Sequence, residues 1–233
     1  MEEKMVKESK ESIKRIKTYI TGFDEQLQGG VPEGHVTLIC GTAGTMKSSV
    51  AFNVLYNEAL DGKTGLYISL EQSAKSLLEH AENMGYDFSK INLFVMSDIA
   101  KLKASIQNIK SSKGGSLIIS DLGAIRKEIK GTKIGPSGDW LNVIKNIIKK
   151  IKQEAKCDLF VLDSLSALYV LSSFDDPRTR LFYIFEFLRD IQLTTFLISE
   201  MPLNKSKYSE YEVEDYLADG IILLQHTERF RKV

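Results

Sequence analysis

The chain has 233 residues, of which 43% are hydrophobic and 27% charged, and its 31 basic and 31 acidic side chains balance to a formal net charge of zero. That length and composition suit one sizeable α/β domain, and the neutral balance argues against a dedicated nucleic-acid binder, which carries a basic excess. No apolar run approaches the roughly 18 residues of a membrane span, and the charged N-terminus is unlike a secretory signal.

Residues 1–17 are dense in Lys and Glu, with Met5, Val6, Ile13 and Ile16 as the only apolar positions after Met1. They read as a charged arm, helical or disordered. The domain proper is expected to occupy residues 18–233. Gly22 to Leu27 predicts a short helix ended by Gly29-Gly30, and Pro32-Glu33-Gly34 a turn.

Val36, Leu38 and Ile39 open an apolar strand that runs through Cys40 into Gly41-Thr42-Ala43-Gly44-Thr45-Met46-Lys47-Ser48-Ser49, and Val50 to Leu60 follows as a helix. Strand, glycine loop, Lys-Ser and helix are the context a phosphate-binding loop requires. Consecutive backbone N–H groups curl round an anion, and the helix points its positive end at the same spot. Thr42, Ala43, Gly44, Thr45, Met46, Lys47, Ser48 and Ser49 are therefore the nucleotide-binding candidates. Lys47 offers a mobile charge to the terminal phosphates, and Ser48 a hydroxyl to Mg²⁺. The pattern departs at Met46, where glycine is expected. Glycine marks close backbone approach or positive φ, so either the loop runs at negative φ here or binding is weakened.

After the turn Asp61-Gly62-Lys63, Gly65 to Leu70 predicts a strand leading into Glu71-Gln72. Ser73 can cap a helix whose apolar positions are Ala74, Leu77, Leu78, Ala81 and Met84, with Gly85 stopping it. Leu93 to Met96 and Leu117 to Ile119 are further strands, with a Lys-rich helical stretch, Ala100 to Lys110, between them. Gly131 to Gly138 reads as a flexible loop. Trp140, Leu141, Ile144, Ile147, Ile148, Ile151 and Ala155 share one helical face, and Lys145, Lys149, Lys152 and Lys156 line another that is expected to be solvated. Asp158 to Ser164 is a buried strand ending in Asp163. Asp176-Pro177 starts a helix whose Leu181, Phe182, Tyr183, Ile184, Phe185, Phe187 and Leu188 are apolar nearly all round. Burial on more than one side, by its own domain or a neighbouring subunit, is expected. Thr194 to Ser199 and Ile221 to Leu224 are the last strands.

Strands alternating with helices imply an α/β fold, a mostly parallel twisted sheet with helices on both faces. Residues at strand ends then meet on the carboxyl edge, where ligands bind in such folds. Asp163 can hold Mg²⁺ together with Ser48. Glu71 can orient or deprotonate a water attacking the γ-phosphate, or stand merely as the neighbour of a helix cap. Ser199 and Glu200 reach the same edge as a sensor pair, although Glu200 would repel phosphate unless a cation lay between. The two cysteines, Cys40 and Cys157, adjoin apolar runs and read as buried thiols of a reducing compartment, so a cytoplasmic location is expected. His35, His80 and His226 make no metal spacing with them.

The runs Thr21 to Asp24, Leu27 to Gly34, Gly41 to Ser49, Phe52 to Asn57, Ser69 to Gln72, Leu162 to Leu165, Thr194 to Glu200 and Glu212 to Leu223 together resemble a KaiC-type ATPase domain of the RecA superfamily. The likeness covers nearly everything from Thr18 onwards. It implies a RecA-like P-loop NTPase core, ATP with Mg²⁺ as the ligand, a hexameric ring with ATP at subunit interfaces, and Glu71 as the catalytic glutamate beside Lys47. Three positions depart from the pattern. Met46 replaces a glycine, and Gln72 replaces the second glutamate of the clock protein's pair. The sequence ends at Arg231-Lys232-Val233, where similar domains continue into a strand with a Lys-x-Arg-Gly-Thr-like segment that reaches the neighbour's nucleotide. Arg229 or Arg231 could substitute for it. A clock role does not follow from one domain.

The expected function is an ATP-binding, slowly hydrolysing ATPase, a nucleotide-dependent switch or assembly factor with an unidentified protein partner. The alternative is a non-hydrolysing regulatory or assembly protein, similar to the KaiC-like protein of the archaeal motility machinery. A RecA-type DNA-binding role is less favoured, because the loop Leu203 to Tyr208 is short and followed by acidic residues.

Overall fold

A computed structural model of the chain describes residues 13–96, 102–121, 123, 140–172, 176–202, 209 and 212–226. The chain-order strands are β1 (Arg15–Ile16), β2 (Val31–Pro32), β3 (Val36–Gly41), β4 (Thr64–Ser69), β5 (Asn92–Met96), β6 (Ser116–Asp121), β7 (Leu159–Asp163), β8 (Thr194–Glu200) and β9 (Gly220–Leu224). Seven of them form one sheet in the order β5-β6-β4-β7-β8-β3-β9, and every described pairing in it is parallel.

Alternation along the strands explains the two-sided burial. Val36, Leu38 and Cys40 enter one core with Leu66, Ile68, Phe160, Leu162 and Leu197. Ile39 points the other way, with Tyr67, Val161, Phe196 and Ile198. After the short helix α1 (Phe23–Gln26), helices α2 (Lys47–Leu60) and α3 (Ala74–Asn83) cover the Tyr67 face. Helices α4 (Leu102–Ser111), α5 (Trp140–Ala155), α6 (Leu165–Leu171) and α7 (Pro177–Asp190) cover the opposite one. The central strands read as near-continuous apolar runs because helices cover both of their faces, whereas at the sheet edges Val95 of β5 and Ile221 and Leu223 of β9 are exposed.

The predicted caps are in place. Ser73 Oγ accepts from Ser76 N at the start of α3, and Gly85 follows that helix at φ +90°. Asp176 Oδ1 accepts from Thr179 N at 3.2 Å ahead of Pro177. Both cysteines are buried free thiols, as the sequence suggested.

Three details go beyond the sequence reading. Regular structure reaches further toward the N-terminus than Thr18: β1 pairs antiparallel with β2, Ile16 is buried, and Arg15 Nη1 donates to the Gly30 carbonyl at 2.8 Å. The rest of the charged arm lies outside the described residues. The lysine stripe of α5 is only partly solvated. Lys145 donates to the Tyr183 carbonyl at 3.3 Å and sits 5.4 Å from the Phe187 ring centroid, so it ties α5 to α7. Helix α7 buries Leu181, Ile184, Phe185 and Leu188 but leaves Phe182 and Tyr183 42% and 57% exposed, because no further described layer lies over it. The loops Gly131 to Gly138 and Leu203 to Tyr208 fall outside the described residues.

The sheet order decides where function can sit. Strands β4, β7, β8 and β3 are consecutive neighbours, so their carboxyl ends bring Glu71, Asp163, Glu200 and the glycine loop side by side.

Candidate active site

Gly41 ends β3 pressed against Thr45 and the Leu224 carbonyl; a Cβ there would collide with both, so only glycine lets the chain turn at this point. The turn is held by Thr45 Oγ1, which donates to the Thr42 carbonyl at 2.8 Å. Gly44 then takes φ +79°. Met46 takes φ +64° and ψ +28° as the residue before α2, which removes the first of the two alternatives, a loop running at negative φ. Its side chain is 59% exposed and lines the cavity. No side chain caps α2. The first-turn N–H groups at Lys47, Ser48 and Ser49 lack intrahelical partners and stand at a cavity, the arrangement that binds anions.

Lys47 is only 7% exposed and is fully engaged. Its Nζ donates to the Gly41 and Thr42 carbonyls, both at 3.0 Å, and lies 3.8 Å from Glu200 Oε1. The ammonium therefore sits folded back on the loop that carries it.

Asp163 is buried at the end of β7. Tyr67, in the middle of neighbouring β4, donates its hydroxyl to Asp163 Oδ2 at 2.5 Å. Burial pushes the Asp163 carboxyl above the ordinary aspartate range, opposed by hydrogen bonds from Tyr67 and Ser48 and by the charge of Lys47. The donor set is oxygen only, a hydroxyl and a carboxylate of which Tyr67 already occupies one oxygen. That suits a hard cation held jointly with phosphate oxygens, and among the described residues no cluster of His, Cys, Asp and Glu would hold a metal alone.

The raised Asp163 value has a stability consequence. A carboxyl whose folded value exceeds its unfolded one costs stability as pH rises through the folded value, and the cost vanishes below the unfolded value. Asp163→Asn keeps an acceptor for Tyr67 and removes the buried charge. Its Tm is expected to exceed that of the wild type by a few degrees at pH 8, with the gap closing on acidification. Thermal melts across pH check this, and a gap that widened in acid would contradict it.

Glu71 follows β4 and lies at the cavity. Ser164 Oγ donates to its Oε1 and also accepts from Ala167 N at 3.2 Å as the cap of α6, so one hydroxyl ties the two elements together. Burial pushes the Glu71 carboxyl upward, the Ser164 bond opposes it, and the nearby charges of Asp163 and Glu200 add to the rise. Glu71 is thus held in place by a side chain, beyond being the neighbour of a helix cap.

These groups share one cavity of about 420 Å³, lined by Gly44 to Ser49, Glu71, Asp163, Ser164 and Glu200. Thr42 contributes carbonyl contacts within the loop, and Ala43 is exposed and lines no part of the cavity. Ser199 does not reach it: its buried hydroxyl has no hydrogen-bond partner among the described residues, because alternate residues of β8 face opposite ways. Of the two expected residues, only Glu200 lines the cavity.

Sequence reasoning missed three features. Tyr67 was visible only as a strand residue, although a buried tyrosine hydroxyl needs a partner. Ser164 adjoins Asp163 but gives no local sign that it meets Glu71. The cavity also has an apolar arm between α2 and α3, lined by Phe52, Leu77, Ala81, Met84 and Tyr86. Phe52 and Tyr86 meet edge to face at 5.4 Å, and the Tyr86 hydroxyl donates to Asn53 Oδ1 at 3.0 Å.

A family model described as "ATPase: KaiC" matches residues 16–233. The chain belongs to the KaiC ATPase family. Among the relatives of this KaiC-family chain, the circadian clock protein KaiC3 of Synechocystis sp. is 26% identical over 226 residues, 95% of this chain and 40% of that protein. A UPF0273 protein of Pyrococcus furiosus is 28% identical over 222 residues, 93% of this chain and 80% of that protein. The chain spans about two fifths of the length of the curated KaiC clock proteins it matches. The crystal structure of a KaiC-like protein from Pyrococcus horikoshii superposes with a TM-score of 0.68 at 24% identity, covering 94% of this chain and 84% of that one, and shows the same RecA-like fold. No helix among the described residues is long and apolar enough to cross a membrane.

Proposed function

We propose that this KaiC-family domain binds ATP with Mg²⁺ and hydrolyses it slowly, acting as a nucleotide-dependent switch or assembly factor for a protein partner. The observation that carries the reading is the convergence of the Lys47–Ser48 loop, Asp163 and Glu71 on one cavity. The phosphates take the loop N–H groups and Lys47, and the nucleoside takes the apolar arm along α2. Ser48 and Asp163 hold Mg²⁺, which when bound neutralises charge on the phosphates. Glu71, set by Ser164, accepts the proton of the attacking water. Glu200 answers to the presence of the γ-phosphate through Lys47.

Slow turnover is supported by the cation count. Among the described lining residues Lys47 is the only lysine or arginine, and a trans-acting cation contributes on the order of 10³-fold or more in phosphoryl transfer. Arg229 and Arg231 lie outside the described residues. A hexameric ring with ATP at subunit boundaries is carried by resemblance alone, and a cytoplasmic location by the two buried free thiols. Phosphate release measured over a range of protein concentrations tests the reading. Low specific activity that stays nearly constant is expected. A steep rise with concentration would reveal a group supplied by a neighbour, and no ATP binding at all would sink the proposal.

A second reading, nucleotide binding without hydrolysis, is favoured by Met46. A left-handed conformation costs a non-glycine residue roughly 1–2 kcal/mol, and this side chain narrows the entrance to the phosphates. Met46→Gly is expected to tighten Mg·ATP binding severalfold in calorimetry, with a Tm close to wild type because relieved strain and added unfolded-state entropy offset each other. Unchanged or weaker binding would mean that the loop is adapted to methionine.

A further inference from the structure

Three carboxylates, Glu71, Asp163 and Glu200, line the cavity together with a single lysine. Two of them have partners of their own: Asp163 takes the Tyr67 hydroxyl and Glu71 takes the Ser164 hydroxyl. Glu200 differs. It is 48% exposed, it ends β8, and its carboxylate stands 3.8 Å from Lys47 Nζ. It adds a negative charge at the place where terminal phosphates are to bind, and it competes with them for the cation that recruits them. Such a residue weakens any anion's binding, and it does so most for the anion with the most uncompensated charge.

We propose that Glu200 is a selectivity residue that makes the cavity reject metal-free nucleotides and polyphosphates and admit the metal complex. The inference rests on the nucleotide reading given above. A free nucleoside triphosphate carries about four negative charges into a cavity with a net excess of carboxylate and a lysine already shared among Glu200 and the carbonyls of Gly41 and Thr42. A divalent cation held with the phosphates at Ser48 and Asp163 would halve that charge and would be attracted by the carboxylates. Lys47 then exchanges its loop carbonyls for phosphate oxygens while Glu200 remains within its reach. Because Glu200 is half exposed and its backbone N–H, which donates to Ser166 Oγ at 3.3 Å, is untouched by side-chain changes, the charge can be removed without disturbing the fold.

The test is a calorimetric titration of ATP and of inorganic triphosphate into wild type, Glu200→Gln and Glu200→Ala, each with excess Mg²⁺ and with EDTA. Wild type is expected to bind in Mg²⁺ and to lose most of its affinity in EDTA. In both variants the ratio of the two affinities is expected to shrink about tenfold or more, chiefly through tighter binding in EDTA, which is the size of effect of one unit charge within several ångströms in a partly screened site. Raised salt should narrow the difference between wild type and variants. Variants with the wild-type ratio, or equally weakened in both conditions, would overturn the assignment. Binding of Mg·ATP by none of the three proteins would instead overturn the nucleotide reading itself, and this inference with it.

Discussion

Glu71→Gln is expected to bind Mg·ATP with wild-type affinity and to lose hydrolysis by about 10²-fold or more, the usual contribution of a positioned general base. Glutamine is isosteric and its carbonyl oxygen can still accept from Ser164 Oγ, so the geometry between β4 and α6 is preserved. What disappears is the group that takes a proton. The pH profile supplies a second readout. Burial holds the Glu71 carboxyl above the ordinary glutamate range, against the Ser164 bond. A base must be deprotonated to work, so wild-type turnover should fall as pH drops through that raised value, above where an ordinary glutamate would titrate. The residual turnover of Glu71→Gln should not show this limb. Steady-state phosphate release across pH, paired with a binding titration, measures both. Retention of full activity by the variant would remove Glu71 from the mechanism and leave the non-hydrolysing reading.

Lys47→Ala is expected to abolish detectable Mg·ATP binding under conditions that saturate the wild type. Lys47 is the only lysine or arginine among the described lining residues, and its loss leaves Glu71, Asp163 and Glu200 facing the phosphates. Removing one partner of a buried charge pair typically costs about 2–5 kcal/mol, a loss of roughly 30-fold to several thousand-fold in affinity. The side chain is also a strut, since it ties the Gly41 and Thr42 carbonyls to the start of α2. Lys47→Met, which keeps most of the stem, separates the two roles: it should lose binding as Lys47→Ala does while melting nearer the wild type. Ordinary affinity in either variant would place the nucleotide elsewhere on the protein.

The sequence alone determined the fold class and the placement of the phosphate loop. Apolar runs such as Leu159–Leu162 and Phe196–Ile198, separated by helical periodicities, admit little other than a parallel sheet buried on both faces. Strand ends in such a sheet share one edge whatever the details. Local signals also sufficed for the caps at Ser73 and Asp176, because a cap is decided within four residues.

Only the tertiary structure decided the rest. The φ of Met46, left open between two alternatives by the sequence, is +64° at the start of α2. Whether Ser199 or Glu200 faces the cavity turns on the register of β8 against β3 and β7, and a one-residue slip would exchange them. Tyr67 meets Asp163, and Ser164 meets Glu71, because β7 lies beside β4 although more than 90 residues separate the members of each pair. Periodicity reports which face of an element is buried. Which oxygen meets which hydrogen is fixed by strand order and register, and these are properties of the whole chain.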